Sequence, residues 1–130
     1  MANDVSNAAL AYLGDCVIEL KVRKFLVECG ISHSAELNRE ALAFVKAGAQ
    51  SEAVKKLLPI LTDEETAVFK RGRNNGHSSS PKSATVGQYR AATGMETLFG
   101  QLYLDEKFDR IDELFAAGYA EQIEKLKEKR

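Results

Sequence analysis

The sequence predicts an all-α fold, and three observations carry that prediction. Apolar residues return at helical spacing, as at Leu10, Leu13, Val17 and Leu20, which marks a core-facing stripe. Helix start and stop signals bracket such stretches: Thr62-Asp63-Glu64-Glu65 has the form of a capping box, Gly30 follows the first stretch and Pro59 ends another. No segment alternates convincingly at period two, as a half-buried strand would. About seven helices account for the chain.

The first helix is expected from about Asn7 to Cys29, with Asn7 as N-cap and Gly30 as the stop. Its polar face holds Ala8, Ala11, Asp15 and Glu19. A second helix starts near Ala35, capped by Ser34 and helped by Glu36 in its first turn, with Leu37, Ala41, Phe44 and Val45 as its apolar stripe. A break around Gly48 leads to a third helix near Ser51 to Leu58. The fourth begins at Thr62 and reaches about Arg71, burying Val68 and Phe69. Gly72 to Gly87 has the composition of a surface loop. Loops of that length in a compact domain are uncommon and are usually functional or mobile. A linker between two domains is discounted, because neither flank is large enough to stand alone. The fifth helix runs from Val86 or Gln88 to Leu104, with Tyr89, Ala92, Leu98, Leu102 and Tyr103 on its buried sides. A sixth near Asp109 to Ala117 and a seventh near Ala120 to Lys129 are divided at Gly118. The basic residues ending the last helix complement its dipole.

The totals narrow the function classes. A chain of 130 residues is one domain, large enough for a real core. A hydrophobic content of 45% with 28% charged residues is ordinary for a soluble globular protein. No apolar run approaches the length of a membrane span, and the N-terminus lacks a basic, apolar leader, so a cytoplasmic location is expected. Cys16 and Cys29 both fall in the predicted first helix. About 20 Å apart along it, they cannot pair, and no zinc-ligand spacing accompanies them. A net charge of -1 excludes a uniformly basic nucleic-acid coat. Yet Lys70, Arg71, Arg73, Lys82 and Arg90 form a stretch with no acidic residue. A local positive region on a neutral body suits a limited, salt-sensitive phosphate contact.

Two acidic residues stand out. Asp15 follows Gly14 inside an apolar helix, where glycine is unfavourable by roughly 1 kcal/mol against alanine. Close helix packing at Gly14 with a solvated Asp15 is one explanation; a functional carboxylate is the other. Glu96 has Thr93 three residues before it and Gly100 four after it. Small residues on that face would let another helix approach, and Gly14 is the obvious partner.

The stretch LAYLGDCVIEL, Leu10 to Leu20, resembles the signature helix of the ribonuclease III family, in which a Leu-Gly-Asp step carries a metal-binding aspartate. The stretch YRAATGMETLFGQLYL, Tyr89 to Leu104, resembles the compact Mini-ribonuclease III branch in its Tyr-Arg, Thr-Gly, Glu96, Gly100 and Leu-Tyr-Leu elements. The run Lys70-Arg71-Gly72-Arg73-Asn74 is similar to the same branch. The resemblance implies a ribonuclease III-like catalytic domain over 1–130, with a mobile basic loop at about 72–87 and no double-stranded-RNA-binding domain. It implies an endoribonuclease that cuts double-stranded RNA, leaves 5′-phosphates and acts in maturation of large-subunit (23S) ribosomal RNA. Asp15 and Glu96 would hold magnesium, with manganese as a substitute, and Glu19 is a candidate ligand through water. Lys70, Arg71, Arg73, Asn74 and Lys82 would contact RNA. A homodimer through the first helix is implied, and Tyr12, Cys16 and Ile18 allow such a contact. The larger ribonuclease III enzymes carry further carboxylates where this chain has Ala8, Ala11 and Thr93, and another acidic residue on the second helix, where Glu36 and Glu40 lie. The Mini branch also lacks the first three. Their loss motivates the alternative expectation, a non-catalytic structured-RNA-binding module in ribosome assembly.

Overall fold

One helix, Val86–Leu104, packs against four others, and the molecule is assembled around it. In the computed structural model, residues 4–75 and 85–129 are described, and all regular structure among them is helical. In order these are α1 (Asn7–Glu28), α2 (Ser34–Val45), α3 (Ala47–Leu57), α4 (Asp63–Asn74), α5 (Val86–Leu104), α6 (Phe108–Gly118) and α7 (Ala120–Lys129), with a 3-10 turn at Leu58–Ile60. Helix α5 lies against α1 most extensively, then against α4 and α3. Among the described residues, no helix is long and apolar enough to cross a membrane.

The capping signals explain most boundaries. Thr62 accepts from the Glu65 backbone N–H at 3.1 Å, and Glu65 accepts from the Thr62 N–H at 2.9 Å. The expected box at the start of α4 therefore forms. A second box, not anticipated, starts α5: Thr85 accepts from the Gln88 N–H at 3.0 Å and Gln88 accepts from the Thr85 N–H at 3.1 Å. Ser6 caps α1 through the Ala9 N–H, so Asn7 is the first helical residue instead of the cap. Ser34 likewise lies inside α2, with His33 at the cap position and no side-chain cap bond.

Three expectations are corrected. The break between α2 and α3 is at Lys46, whose backbone is extended, and Gly48 lies within α3. Helix α4 continues past Gly72 to Asn74, so the expected loop at 72–87 is shorter at both ends. Gly72 is a packing residue here: a Cβ on it would overlap the Thr97 side chain on α5. The α1 stripe is also shifted. Leu10, Val17, Ile18, Val22 and Leu26 are buried, whereas Leu20 is 55% exposed. Ile18, expected to be free for a dimer contact, is 1% exposed in the core of its own chain. The reason is that α1 is covered by α5 on one side and α2 on another, so the buried arc is displaced from the leucine row. Tyr103 is likewise exposed on α5, edge-on to Phe108.

The α1–α5 crossing is unusually close. A Cβ on Gly14 would overlap the carbonyl oxygen of Glu96 and lie 2.9 Å from the Gly100 nitrogen; one on Gly100 would overlap the Leu10 carbonyl oxygen. Backbone meets backbone at these two glycines. On the other side of α5, a Cβ on Gly94 would sit 2.7 Å from the Phe69 ring of α4. The far side of the core holds a ring cluster, with Phe44 and Tyr119 centroids 5.5 Å apart and Phe115 and Tyr119 at 5.1 Å. Arg110 of α6 ties the 3-10 turn to the start of α4, donating to both Glu65 oxygens at 2.9 and 2.8 Å and to the Ile60 carbonyl at 2.8 Å.

Two predictions follow from this packing. Gly14→Ala is expected to destabilise the fold by about 3 kcal/mol, because overpacking falls on backbone that cannot rotate away. Gly87→Ala, whose Cβ meets nothing closer than 4.0 Å, should change stability by no more than about 1 kcal/mol. Urea denaturation of both variants checks the contrast. Arg110→Met should destabilise by about 2 kcal/mol at pH 7, since it strands a largely buried carboxylate. Arg110 holds Glu65 below the ordinary carboxylate value of 4.5. The contribution is therefore fully present above pH 4.5 and is lost as pH falls through the lowered value. Parent and variant stabilities should converge in that acid range.

Candidate active site

The glycine crossing brings two acids together. Asp15 directly follows Gly14 on α1, and the Glu96 carbonyl is the group that Gly14 touches on α5. Their carboxyl groups are in hydrogen-bond contact across the crossing. Asp15 is exposed and Glu96 is half-buried. Burial, reinforced by the neighbouring Asp15 charge, pushes the Glu96 carboxyl up to about 8. Desolvation and a like charge both disfavour the ionised form.

Both acids line an open pocket of about 300 Å³ together with Asn7, Ala8, Ala11, Tyr12, Gly72, Asn75, Tyr89 and Thr93. Ala8, Ala11 and Thr93, the positions expected to lack family carboxylates, thus face the same space as the acid pair. Thr93 donates its hydroxyl to the Tyr89 carbonyl at 3.0 Å within α5. The donor chemistry fits a hard cation: the charged groups are carboxylate oxygens, and among the described residues no histidine or cysteine lines the pocket. Among the described residues, no group of three or more His, Cys, Asp or Glu is arranged to hold a metal. The protein side of such a site is a pair of carboxylates, which suits an ion that retains several waters.

The remaining predicted residues divide. Glu19 is turned away from the pocket: it pairs with Arg23 at 3.2 Å and lines a different groove, against α2. Glu40 lies 3.9 Å from Lys129, and neither it nor Glu36 lines the pocket. Lys70, Arg71 and Asn74 are exposed at the C-terminal end of α4, which borders the pocket through Gly72 and Asn75. Arg73 is held over the Phe69 ring at 5.9 Å and donates to Asn74 at 3.2 Å. Lys82 lies outside the described residues.

Sequence reasoning missed Gln50. It is 4% exposed on α3, and its side chain hydrogen-bonds to Glu96. A signal was present: Gln50 occupies the same helical stripe as Ala49, Ala53, Val54 and Leu57, and a polar residue in an apolar stripe asks for a partner. Tyr119 was also missed. Burial and the nearby Glu96 raise its hydroxyl above the usual tyrosine value, and that hydroxyl has no hydrogen-bond partner among the described residues.

Comparison with known proteins identifies the family. The ribonuclease III domain family matches residues 8–107. The chain is 43% identical over 109 residues to Mini-ribonuclease 3 of Symbiobacterium thermophilum, covering 84% of each chain. It is 39% identical over 112 residues to Mini-ribonuclease 3 of Enterococcus faecalis, covering 85% of each. A crystal structure of a Fusobacterium nucleatum protein superposes with a TM-score of 0.79 at 35% identity, over 86% of this chain and 89% of that one. The chain therefore belongs to the ribonuclease III family, in its Mini-ribonuclease 3 branch, and is an endoribonuclease.

Proposed function

We propose that this endoribonuclease cuts double-stranded RNA as a homodimer, with Asp15 and Glu96 as its catalytic acids and magnesium ligands. The observation that carries the reading is the contact between these two carboxyls at an open pocket. Their sequence separation gives no reason for the contact; the helix crossing does. Magnesium, or manganese in its place, supplies an activated water and charge stabilisation at the leaving oxygen when bound. The residues of the chain divide the remaining work. Asp15 stands at the open side, where a phosphate can approach. Glu96 is recessed behind it, in contact with Asp15.

The exposed Lys70 and Arg71, with Asn74, lie beside the pocket and suit contacts to phosphates. A-form RNA hides its base edges in a deep major groove and offers phosphates and 2′-hydroxyls across a shallow minor groove. Reading the backbone from a small basic edge fits that surface. Arg73, stacked on Phe69, steadies the end of α4 and presents Asn74. Lys82 belongs to the same basic run in sequence.

The homodimer reading rests on α1. Tyr12 is 86% exposed, and Cys16, Leu20 and Val27 are exposed on the same side. A two-fold pair joined along this stripe would carry two pockets, one for each strand of a duplex. Tyr12 also lines the pocket, so interface and site would be adjacent. A cytoplasmic role on precursor 23S ribosomal RNA completes this reading and is what the resemblance to the Mini-ribonuclease III branch implies.

The test is digestion of a long duplex RNA by parent and Asp15→Asn proteins, with magnesium and then with chelator, followed by sequencing of the ends. The parent should cut both strands and leave 5′-phosphates only with the cation. The variant should cut on the order of a thousandfold more slowly, with unchanged helical circular dichroism and retained, salt-sensitive duplex binding. A parental rate in Asp15→Asn excludes the assignment.

A further inference from the structure

We propose that Gln50 is a positioning residue for the ribonuclease reaction: from α3 its buried amide donates a hydrogen bond to the Glu96 carboxyl and holds that group facing Asp15. The inference rests on the reading of Asp15 and Glu96 as the cation-holding pair.

Three observations lead to it. Among the described residues, Gln50 and Thr97 are the buried polar side chains. Thr97 is explained within its own helix, donating to the Thr93 carbonyl at 2.8 Å. Gln50 has no such local partner; its bond runs to Glu96 on α5. The rest of the stripe on α3 is apolar, with Ala49, Ala53, Val54 and Leu57 in the core. For folding alone an aliphatic side chain at position 50 would serve as well or better, because an amide loses water on burial.

The geometry also fits the need. Glu96 projects from α5 into a pocket with open space on one side, and a carboxyl on a flexible two-carbon stem can swing there. Asp15 approaches it from α1, and Gln50 approaches it from α3. Helix α3 packs against α5, so Gln50 reaches Glu96 from the buried side and can fix its direction without entering the solvent-facing side of the site. Groups placed behind metal-holding carboxylates in this way orient them and tune their affinity.

Gln50→Met keeps the length and apolar packing of the side chain and removes the donor. The magnesium concentration for half-maximal cleavage of a long duplex RNA should rise about tenfold or more. Manganese affinity, measured by calorimetry without RNA, should fall by a similar factor. Thermal melting in chelator should not drop, and cleavage at saturating magnesium should largely recover. Gln50→Leu provides the same comparison if the methionine variant folds poorly. An unchanged cation requirement and unchanged manganese affinity overturn the proposal, and a lowered melt with a parental cation requirement reduces Gln50 to a structural role. Glu96→Gln separates the two levels. Parental cleavage in that variant sinks the acid-pair reading itself, whereas loss of cleavage there beside parental behaviour of Gln50→Met sinks the positioning role alone.

Discussion

The backbone contact between α1 and α5 at Gly14 and Gly100 is the constraint on which the rest of the structure depends. Each glycine leaves room for a carbonyl of the opposite helix, and a methyl group at either would overlap it. Neither overlap can be relieved by a rotamer change, because the obstructing atoms are main chain. Two helices that touch at this distance fix the residues beside the contact to within a small range. Asp15 and Glu96 are those residues. The site's central distance is therefore set by helix packing, and the side chains need only short excursions to meet.

The same helix is pinned on its opposite side. Gly94 accepts the Phe69 ring, and Gly72 of α4 accepts Thr97. Glycines in three helices thus remove bulk at the surfaces where α5 is enclosed. Each is unfavourable for its own helix by about 1 kcal/mol, and the return is a close-packed centre whose parts cannot slide. Capping boxes at Thr62 and Thr85 secure the starts of the two helices that flank the undescribed stretch 76–84. The basic end of α4 is anchored beside the pocket by the close contact of Gly72 with Thr97 on α5.

How much of this could be read from the sequence depended on whether the signal was local. The Thr62 box, the order of the helices and the all-α class follow from short-range chemistry, and the structure agrees. Glycine spacing around Glu96 and the Gly-Asp step pointed to a close crossing because small residues four apart lie on one helix face. Burial along α1 was less legible. Leu20 is as apolar as Leu10, but which arc of a helix is covered depends on where its neighbours sit, and here the covered arc includes Ile18 and leaves Leu20 out. Gly72 failed for the same reason. Glycine after a basic run reads as a stop unless Thr97, 25 positions later, is known to press against it. Gln50 was missed because the third helix was expected to begin near Ser51, which left Gln50 outside the apolar stripe it belongs to.

The thinned acidic surround has a consequence of its own. Ala8, Ala11 and Thr93 face the pocket without charge, so on the proposed reading the attraction for a cation comes from Asp15 and Glu96. Of these, Glu96 is pushed up to about 8 by burial and by the neighbouring Asp15. A site of this kind gains cation affinity less from the number of its carboxylates than from how little they must reorganise. Rigid spacing substitutes for charge. The glycine crossing supplies that spacing for the helices, and on the reading proposed above Gln50 supplies it for the one carboxyl with room to turn.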